Sequence, residues 1–474
     1  GNLIWVKQVK GLSSGVDGCG GRGNVDSNGN IFILGAFRDS FDFDPGPAVH
    51  KLYSYGGYHT FILKLDSAGN FVWVKDIGFQ ISPGSIVANA EKRDKNGYLY
   101  FAAAVNGDGI NPLDVDPGPG VYNIAPNLGD LLIEKLDSNG NFVWAKVITG
   151  DNAKSPYFLD VDSASNVFVS GPFKGSADFD PGPAVYTLTA TPPALGPSND
   201  IFIAKYDSAG NFVWAHSIGS SLDDEVSAGA VDRFGNVLVT GSFGGTVDFD
   251  PGPGVFNLTA RSTRSLFTLR LRNNGDFSWA KMGGSASVTY GRALATDSAG
   301  NVYTGAALSG SCDLDPDTGK FIVPSGVGVQ ELDSSGHFVW GTHLGGIAPT
   351  WIGVPKMDST IYVTGGDRPS GSTGSNFFGF IVKLKQMPLP NGIENINHQT
   401  SVSVYPNPSS GIVTFSSPLA IQCIEVTDMA GRLVYVNKPN KAKTVIDLGD
   451  KAAGVYFYEV DCGAGKQRGK LVVY

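Results

Sequence analysis

The sequence predicts an all-β fold: a six-bladed β-propeller closed by its N-terminal strand, followed by a small antiparallel β-sandwich. Three observations carry this prediction. One phrase recurs at a nearly fixed period, each period holds four β-type runs joined by tight turns, and the two ends of the repeat array are incomplete in complementary ways.

The phrase reads DSAGNFVW at Asp66–Trp73 and Asp207–Trp214, DSNGNFVW at Asp137–Trp144 and DSSGHFVW at Asp333–Trp340. A worn copy ends at Trp279 and a headless one, GNLIW, at Trp5, so the tryptophans are spaced by 68, 71, 70, 65 and 61 residues. The fourth period shows the strand pattern. SAGAVD at Ser227–Asp232 and the β-branched run NVLVTGSF at Asn236–Phe243 flank the turn DRFGN. VDFDPGPGVFNLTA at Val247–Ala260 follows, then LFTLRLR at Leu266–Arg272, the turn NNGD and the Trp run FSWAKMG. Asp bonds its own backbone two residues on, and Gly supplies the left-handed residue of a short hairpin. D-x-x-G-N between two β runs is therefore a hairpin, and it occurs twice per period.

Second-run copies at Asn30–Gly35, Tyr98–Ala103, Asn166–Gly171, Asn236–Gly241, Asn301–Ala306 and Ile361–Gly366 count six repeats. The chain opens on a Trp-type fourth strand, Asn2–Val9, with no third strand before it. The sixth repeat ends on a third-type strand, Gly379–Lys385, with no fourth after it. Pairing the two closes a ring and removes two open sheet edges. In a four-strand meander the DSAGN turns fall on one face and the DFDPG segments on the opposite one. The domains expected are a propeller over 1–385, a linker over 386–399 and a β-sandwich over 400–474, where four alternating runs carry tight turns.

Composition narrows function by exclusion. The chain has 35 basic and 44 acidic residues, and the excess lies before residue 400, which argues against nucleic acid and anionic membrane as partners. No apolar run reaches the ~18 residues of a membrane-spanning helix. The sequence starts at Gly1 rather than Met, which fits an N-terminal segment already removed. Four cysteines (19, 312, 423 and 462) are too few for a disulfide scaffold, and pairing of Cys423 with Cys462 stays open. Six scattered histidines form no zinc motif, and neither a nucleophile elbow nor a P-loop is present.

The acidic segment is the main candidate site. DFDPGP or a close variant places paired carboxylates at Asp42 and Asp44, Asp114 and Asp116, Asp178 and Asp180, Asp248 and Asp250, and Asp313 and Asp315. Two carboxylates on an extended chain beside a Pro-Gly turn suit a hard cation such as Ca2+, which takes 6–8 oxygens. The bland alternative is that the first Asp caps a turn and the residue between the acids plugs the blade. The repeated Trp is a sugar platform or, much better favoured, an interblade packing anchor. Abundant carboxylates leave glycosidase chemistry open, but acids repeated in register are unlike a single catalytic pair.

Residues 400–474 resemble the type A C-terminal sorting domain of the type IX secretion system. The motifs that carry this are Tyr405, Pro406, Asn407 and Pro408 in VYPNP, Asp428, Gly431 and Arg432 in TDMAGRLV, Gly454 and Tyr456 in AAGVYFYEV, and Gly469 and Lys470 in GKLVVY. The resemblance implies export through the inner membrane behind a signal peptide. It also implies recognition by the outer-membrane translocon and its shuttle barrel, and processing by a sortase that leaves the product secreted or on the cell surface. Residues 1–385 are similar to SBBP repeats, propeller repeats of secreted bacterial proteins named for seven blades, although six are counted here. That second resemblance implies fold and location rather than chemistry. The expectation is a non-catalytic binding or adhesion module for an extracellular ligand such as a glycan. A polysaccharide-active enzyme and a surface-layer or filament subunit are the alternatives.

Overall fold

The computed structural model describes residues 4–12, 18–80, 84–151, 155–193, 198–284, 287–345, 348–353, 360–367, 378–385, 402–405, 407, 409–429, 431–462 and 466–473. Every element within them is a β-strand, and the chain divides into two compact units, Gly1–Lys385 and Gln386–Tyr474.

The N-terminal unit is a series of antiparallel sheets. Repeat one pairs Gly18–Val25, Ile31–Phe37, His59–Leu65 and Phe71–Ile77 in that order. Repeat two pairs Ser85–Arg93, Leu99–Asn106, Leu128–Leu136 and Phe142–Gly150. Repeats three to five follow the same order and begin at Phe158–Val161, Glu225–Val231 and Thr289–Thr296. Repeat six has three strands among the described residues: Ala348–Gly353, Thr360–Asp367 and Phe378–Lys385. The first strand of each repeat packs against the first strand of the next. The apolar cores therefore lie between repeats. One holds Tyr100, Leu131 and Ile133 of repeat two against Phe179, Phe202 and Tyr206 of repeat three.

The turns form as their sequence dictates. In Asp66–Asn70 the Asp66 Oδ1 accepts from the N–H groups of Ala68 (2.9 Å) and Asn70 (2.8 Å), and Oδ2 accepts from the Asn70 amide (3.0 Å). Gly69 takes a φ of 76°, a conformation that costs a side chain strain. These bonds, led by the Asn70 N–H, hold the Asp66 carboxyl below its ordinary range.

Residues 4–9 are not a strand, and among the described residues nothing pairs with the outer edge of Phe378–Lys385. The N-terminal segment pairs instead with repeat one: Lys10 opposite Asp42 and Gly11 opposite Phe41. The second unit stacks Ser403–Tyr405, Ile412–Ile421 and Lys441–Asp447 as one sheet. Leu433–Asn437, Cys423–Asp428, Gly454–Asp461 and Lys466–Val473 form the other, around Phe415, Ile424, Val426, Ile446 and Val460. Cys423 and Cys462 are free thiols, as is Cys312.

Candidate functional site

The acidic segments fold as five hairpins inserted between the second and third strands of repeats one to five. Their strands are Ser40–Asp42 with Lys51–Tyr53, Leu113–Asp114 with Asn123–Ile124, Ser176–Asp178 with Thr187–Thr189, Thr246–Asp248 with Asn257–Thr259, and Cys312–Asp313 with Ile322–Val323. One geometry recurs in all five. In repeat four Asp248 Oδ1 accepts from the N–H groups of Asp250 (3.1 Å) and Phe256 (2.8 Å), and Asp250 Oδ1 accepts from Gly252 N–H (2.9 Å). Asp42 with Asp44, Asp114 with Asp116, Asp178 with Asp180, and Asp313 with Asp315 repeat it. The residue between the two acids, Phe43, Val115, Phe179, Phe249 or Leu314, is fully buried.

The hairpins do not stay on the face opposite the DSAGN turns, which corrects the sequence expectation. Each starts there and runs back along the outer strands. On one side three of them meet the preceding chain: Asp178 and Ala177 pair with Thr149 and Gly150 of the preceding repeat's fourth strand, Asp313 bridges Gly284, and Asp42 and Phe41 pair with Lys10 and Gly11. On the other, the tip stacks on the Phe that follows the DSAGN turn of its own repeat. The ring centroids are 4.7–4.9 Å apart for His50 and Phe71, Tyr122 and Phe142, Tyr186 and Phe212, and Phe256 and Phe277. In repeat five Asp317 of the tip bonds both Phe338 N–H (2.9 Å) and Lys281 of repeat four (2.7 Å). Where a hairpin meets such a strand end, it satisfies hydrogen-bonding groups the strand would otherwise leave open. The acidic segment is thus a wedge between neighbouring repeats.

A second clasp joins the same neighbours. Trp144, Trp214 and Trp279 donate their indole N–H to the carbonyls of Ser208, Asn273 and Ser334, in the turn of the following repeat, at 3.1–3.2 Å. The indoles of Trp73, Trp144, Trp214 and Trp279 lie against the turn glycines Gly140, Gly210, Gly275 and Gly336, where a Cβ would meet them at 2.9–3.2 Å. Trp5 sits against Gly69 in the same way. The tryptophan is therefore an interrepeat anchor.

For calcium the donor set falls short. Each loop offers two carboxylates with their Oδ1 atoms committed to backbone N–H groups, and the 6–8 oxygens Ca2+ takes are not assembled. Among the described residues no three His, Cys, Asp or Glu side chains converge to hold a metal ion.

Sequence reasoning missed several buried titratable groups. Glu134 on the third strand of repeat two has no exposed surface, and neither carboxylate oxygen has a partner. Burial, then the charges of Asp116 and Asp114, push its carboxyl well above the ordinary range. The signal was present: LLIEKL puts an acid where ILKL, IAKY and TLRL have Leu63, Ala204 and Leu269. Burial also pushes Asp224 up to about 7, although Gly244 N–H (2.9 Å) and Ser220 N–H (2.6 Å) bond it, and raises Asp200. His216, stacked on Trp214 at 5.1 Å, is lowered by burial. Glu134, Asp200 and Asp224 are buried, and His216 is half-buried.

In the second unit the predicted motif residues take defined roles. Tyr405 ends its strand, exposed, while Pro406 and Pro408 lie outside the described residues. Asp428 accepts from Arg432 N–H (3.0 Å) and Nε (2.7 Å) across a turn whose Gly431 has a φ of 75°. Gly454 opens its strand, and the buried Tyr456 donates its hydroxyl to Ala452 O (2.6 Å). A Cβ on Gly469 would strike the Tyr458 ring, 2.3–2.7 Å away. The Lys470 carbonyl and the Val472 N–H both bond the Asn407 side chain.

Residues 403–474 match the family of secretion system C-terminal sorting domains. That segment is a type IX sorting signal, and it marks the chain as cargo for export to the cell surface or beyond. No helix among the described residues is long and apolar enough to cross a membrane. Over 185 residues the chain is 30% identical to an uncharacterized WD repeat-containing protein of Acanthamoeba polyphaga mimivirus, covering 36% of this chain and 13% of that protein. Over 125 residues it is 33% identical to the regulatory protein FlaEY of Caulobacter vibrioides, covering 26% of this chain and 13% of that protein. The chain thus spans about an eighth of either relative's length. Among solved structures, PorZ, a surface component of the type-IX secretion system of Porphyromonas gingivalis, is 12% identical. The alignment covers 95% of this chain and 74% of PorZ at a TM-score of 0.23, too low to carry an argument.

Proposed function

We propose that this type IX cargo delivers a six-bladed β-propeller to the cell exterior, where it serves as a non-catalytic binding or adhesion module. The observation that carries binding is a set of apolar tips. Val49, Val121, Val185 and Val255 stand at one position of four wedge hairpins, and each is 64–74% exposed. They are the most exposed large apolar side chains of these hairpins. The partial match to a WD repeat-containing protein favours a propeller. The test is adherence of the exported chain to extracellular polysaccharide and to whole cells, against a variant with all four valines changed to Ser. Equal adherence by the two, or polysaccharide turnover by the wild type, would defeat this reading.

Closure of the ring rests on the N-terminal segment. Val6 is 75% exposed, whereas Val74, Ala145, Ala215 and Ala280 at the same place in complete repeats are 0–8% exposed. Trp5 already occupies a fourth strand's place against repeat one, so what Val6 lacks is a third strand beside it. Among the described residues no fourth strand pairs with Phe378–Lys385. In complete repeats Leu63 pairs with Val74, which by register places Val382 opposite Val6. A Val6→Cys, Val382→Cys variant should form an intramolecular disulfide on oxidation. Dimers alone, or free thiols, would refute closure within one chain.

A further inference from the structure

The strand Lys466–Val473 lies at the edge of its sheet and pairs with Gly454–Asp461 on one side. An unpaired edge exposes alternate N–H and C=O groups. Here the segment ahead of Ile412–Ile421 covers it. The Asn407 side chain accepts from Val472 N–H (2.8 Å) and donates to Lys470 O (2.6 Å). That pair, a carbonyl at one residue and an N–H two residues on, is what a neighbouring parallel strand would engage, and one carboxamide stands in for it. Around this clip Ser409 N–H bonds Val472 O (2.9 Å), Ser409 and Val473 form a parallel bridge, and Val402 N–H bonds the Gln467 side chain (2.7 Å). Two motifs more than 60 residues apart, VYPNP and GKLVVY, are thereby one structural object.

We propose that Asn407 is a positioning residue for export: its carboxamide closes the edge of the last strand, and the export machinery accepts the sorting domain only with that edge closed. Asn407 is exposed and outside the core, so its role is to hold the strand edge rather than to stabilise the domain interior. The inference rests on the reading of residues 403–474 as the sorting signal.

The test uses the full chain in a type IX-competent host. Asn407→Asp keeps the acceptor for Val472 N–H and loses the donor, while Asn407→Leu loses both. Hydrogen exchange at Val472 should quicken by tenfold or more in Asn407→Leu and by less in Asn407→Asp, with Val426 and Val460 still protected. The exported fraction should fall in the same order, with the chain accumulating in the periplasm. Should Asn407→Leu also lose protection at Val426, the Asp variant alone decides, because its export must still drop with its Val472 protection. Wild-type export of a variant whose Val472 amide exchanges freely would overturn the inference. Deleting 403–474 separates the two readings: unimpaired export of the deletion would sink the sorting-signal reading itself.

Discussion

Replacing Glu134 should stabilise the protein, by an amount that depends on pH. The side chain has no exposed surface and no partner for either oxygen, beneath a hairpin that carries Asp114 and Asp116. Leaving a buried polar group unsatisfied costs about 1–3 kcal/mol, and replacing buried ionisable groups by apolar ones of similar volume has returned about 1–4 kcal/mol. Repeats one and four place Leu63 and Leu269 at the equivalent position, so the site has an apolar precedent. Glu134→Leu should therefore gain about 2–4 kcal/mol at neutral pH. The sign of the pH dependence follows from the raised carboxyl. Below the unfolded value, about 4.3, the group is neutral in both states and costs no ionisation energy. As pH rises above it, the unfolded chain ionises while the folded one does not, and wild-type stability declines until the folded value is reached. The limiting slope is about 1.4 kcal/mol per pH unit. Glu134→Gln keeps the shape and removes the titration, so denaturant midpoints of the pair should diverge as pH rises above about 4.3. Parallel midpoints over that range would mean an ionised, partnered Glu134 and would refute the argument.

Three further outcomes follow from the junctions. Gly210→Ala should cost about 1 kcal/mol or more, since its φ of 78° strains any side chain and the new Cβ would press on Lys146 and Trp144; denaturant titration reads the loss. His216 stands where other repeats carry Lys75, Lys146 and Lys281, and burial lowers its affinity for a proton. Its neutral form is thus the stabilising one: that contribution is present above about 6.5 and is lost as pH falls toward the lowered folded value, so denaturant titrations between about pH 7.5 and 5 should show wild type losing more stability than His216→Gln. Asp248→Ala should lower stability by about 1–3 kcal/mol by orphaning the N–H groups of Asp250 and Phe256, whereas chelator should leave wild-type melting unchanged; a chelator-induced drop would restore a metal role for the hairpins.

The repeat count and the hairpin turns were legible because both rest on local chemistry. Asp66 and Gly69 need nothing beyond their own five residues to make their turn. The sorting segment was legible from motif order. The path of the DFDPG hairpin was not, since nothing between Asp178 and Thr187 names the strand it lies against; that partner, at Thr149 and Gly150, belongs to another repeat. Glu134 was overlooked for a related reason. One acid in LLIEKL resembles an outward residue of an alternating strand until a neighbouring repeat is known to cover that face.

Repetition itself shifts where function should be sought. An Asp pair that caps the same turn in five hairpins, and a Trp that clasps the same glycine at successive junctions, answer a need every junction shares. A ligand site has no such need to recur. Departures from the repeat are therefore the informative positions: His59 bonded to Asp76 where repeats two and three have Asp130 and Asp200, Glu134 where repeats one, three and four have Leu63, Ala204 and Leu269, and His216 where repeats one, two and four have Lys75, Lys146 and Lys281. Each sits at one junction, and the burial that favours the protonated form of Glu134 and the neutral form of His216 makes those two junctions sensitive to pH. The valines at the tips recur yet remain exposed, and the proposed binding role rests on them.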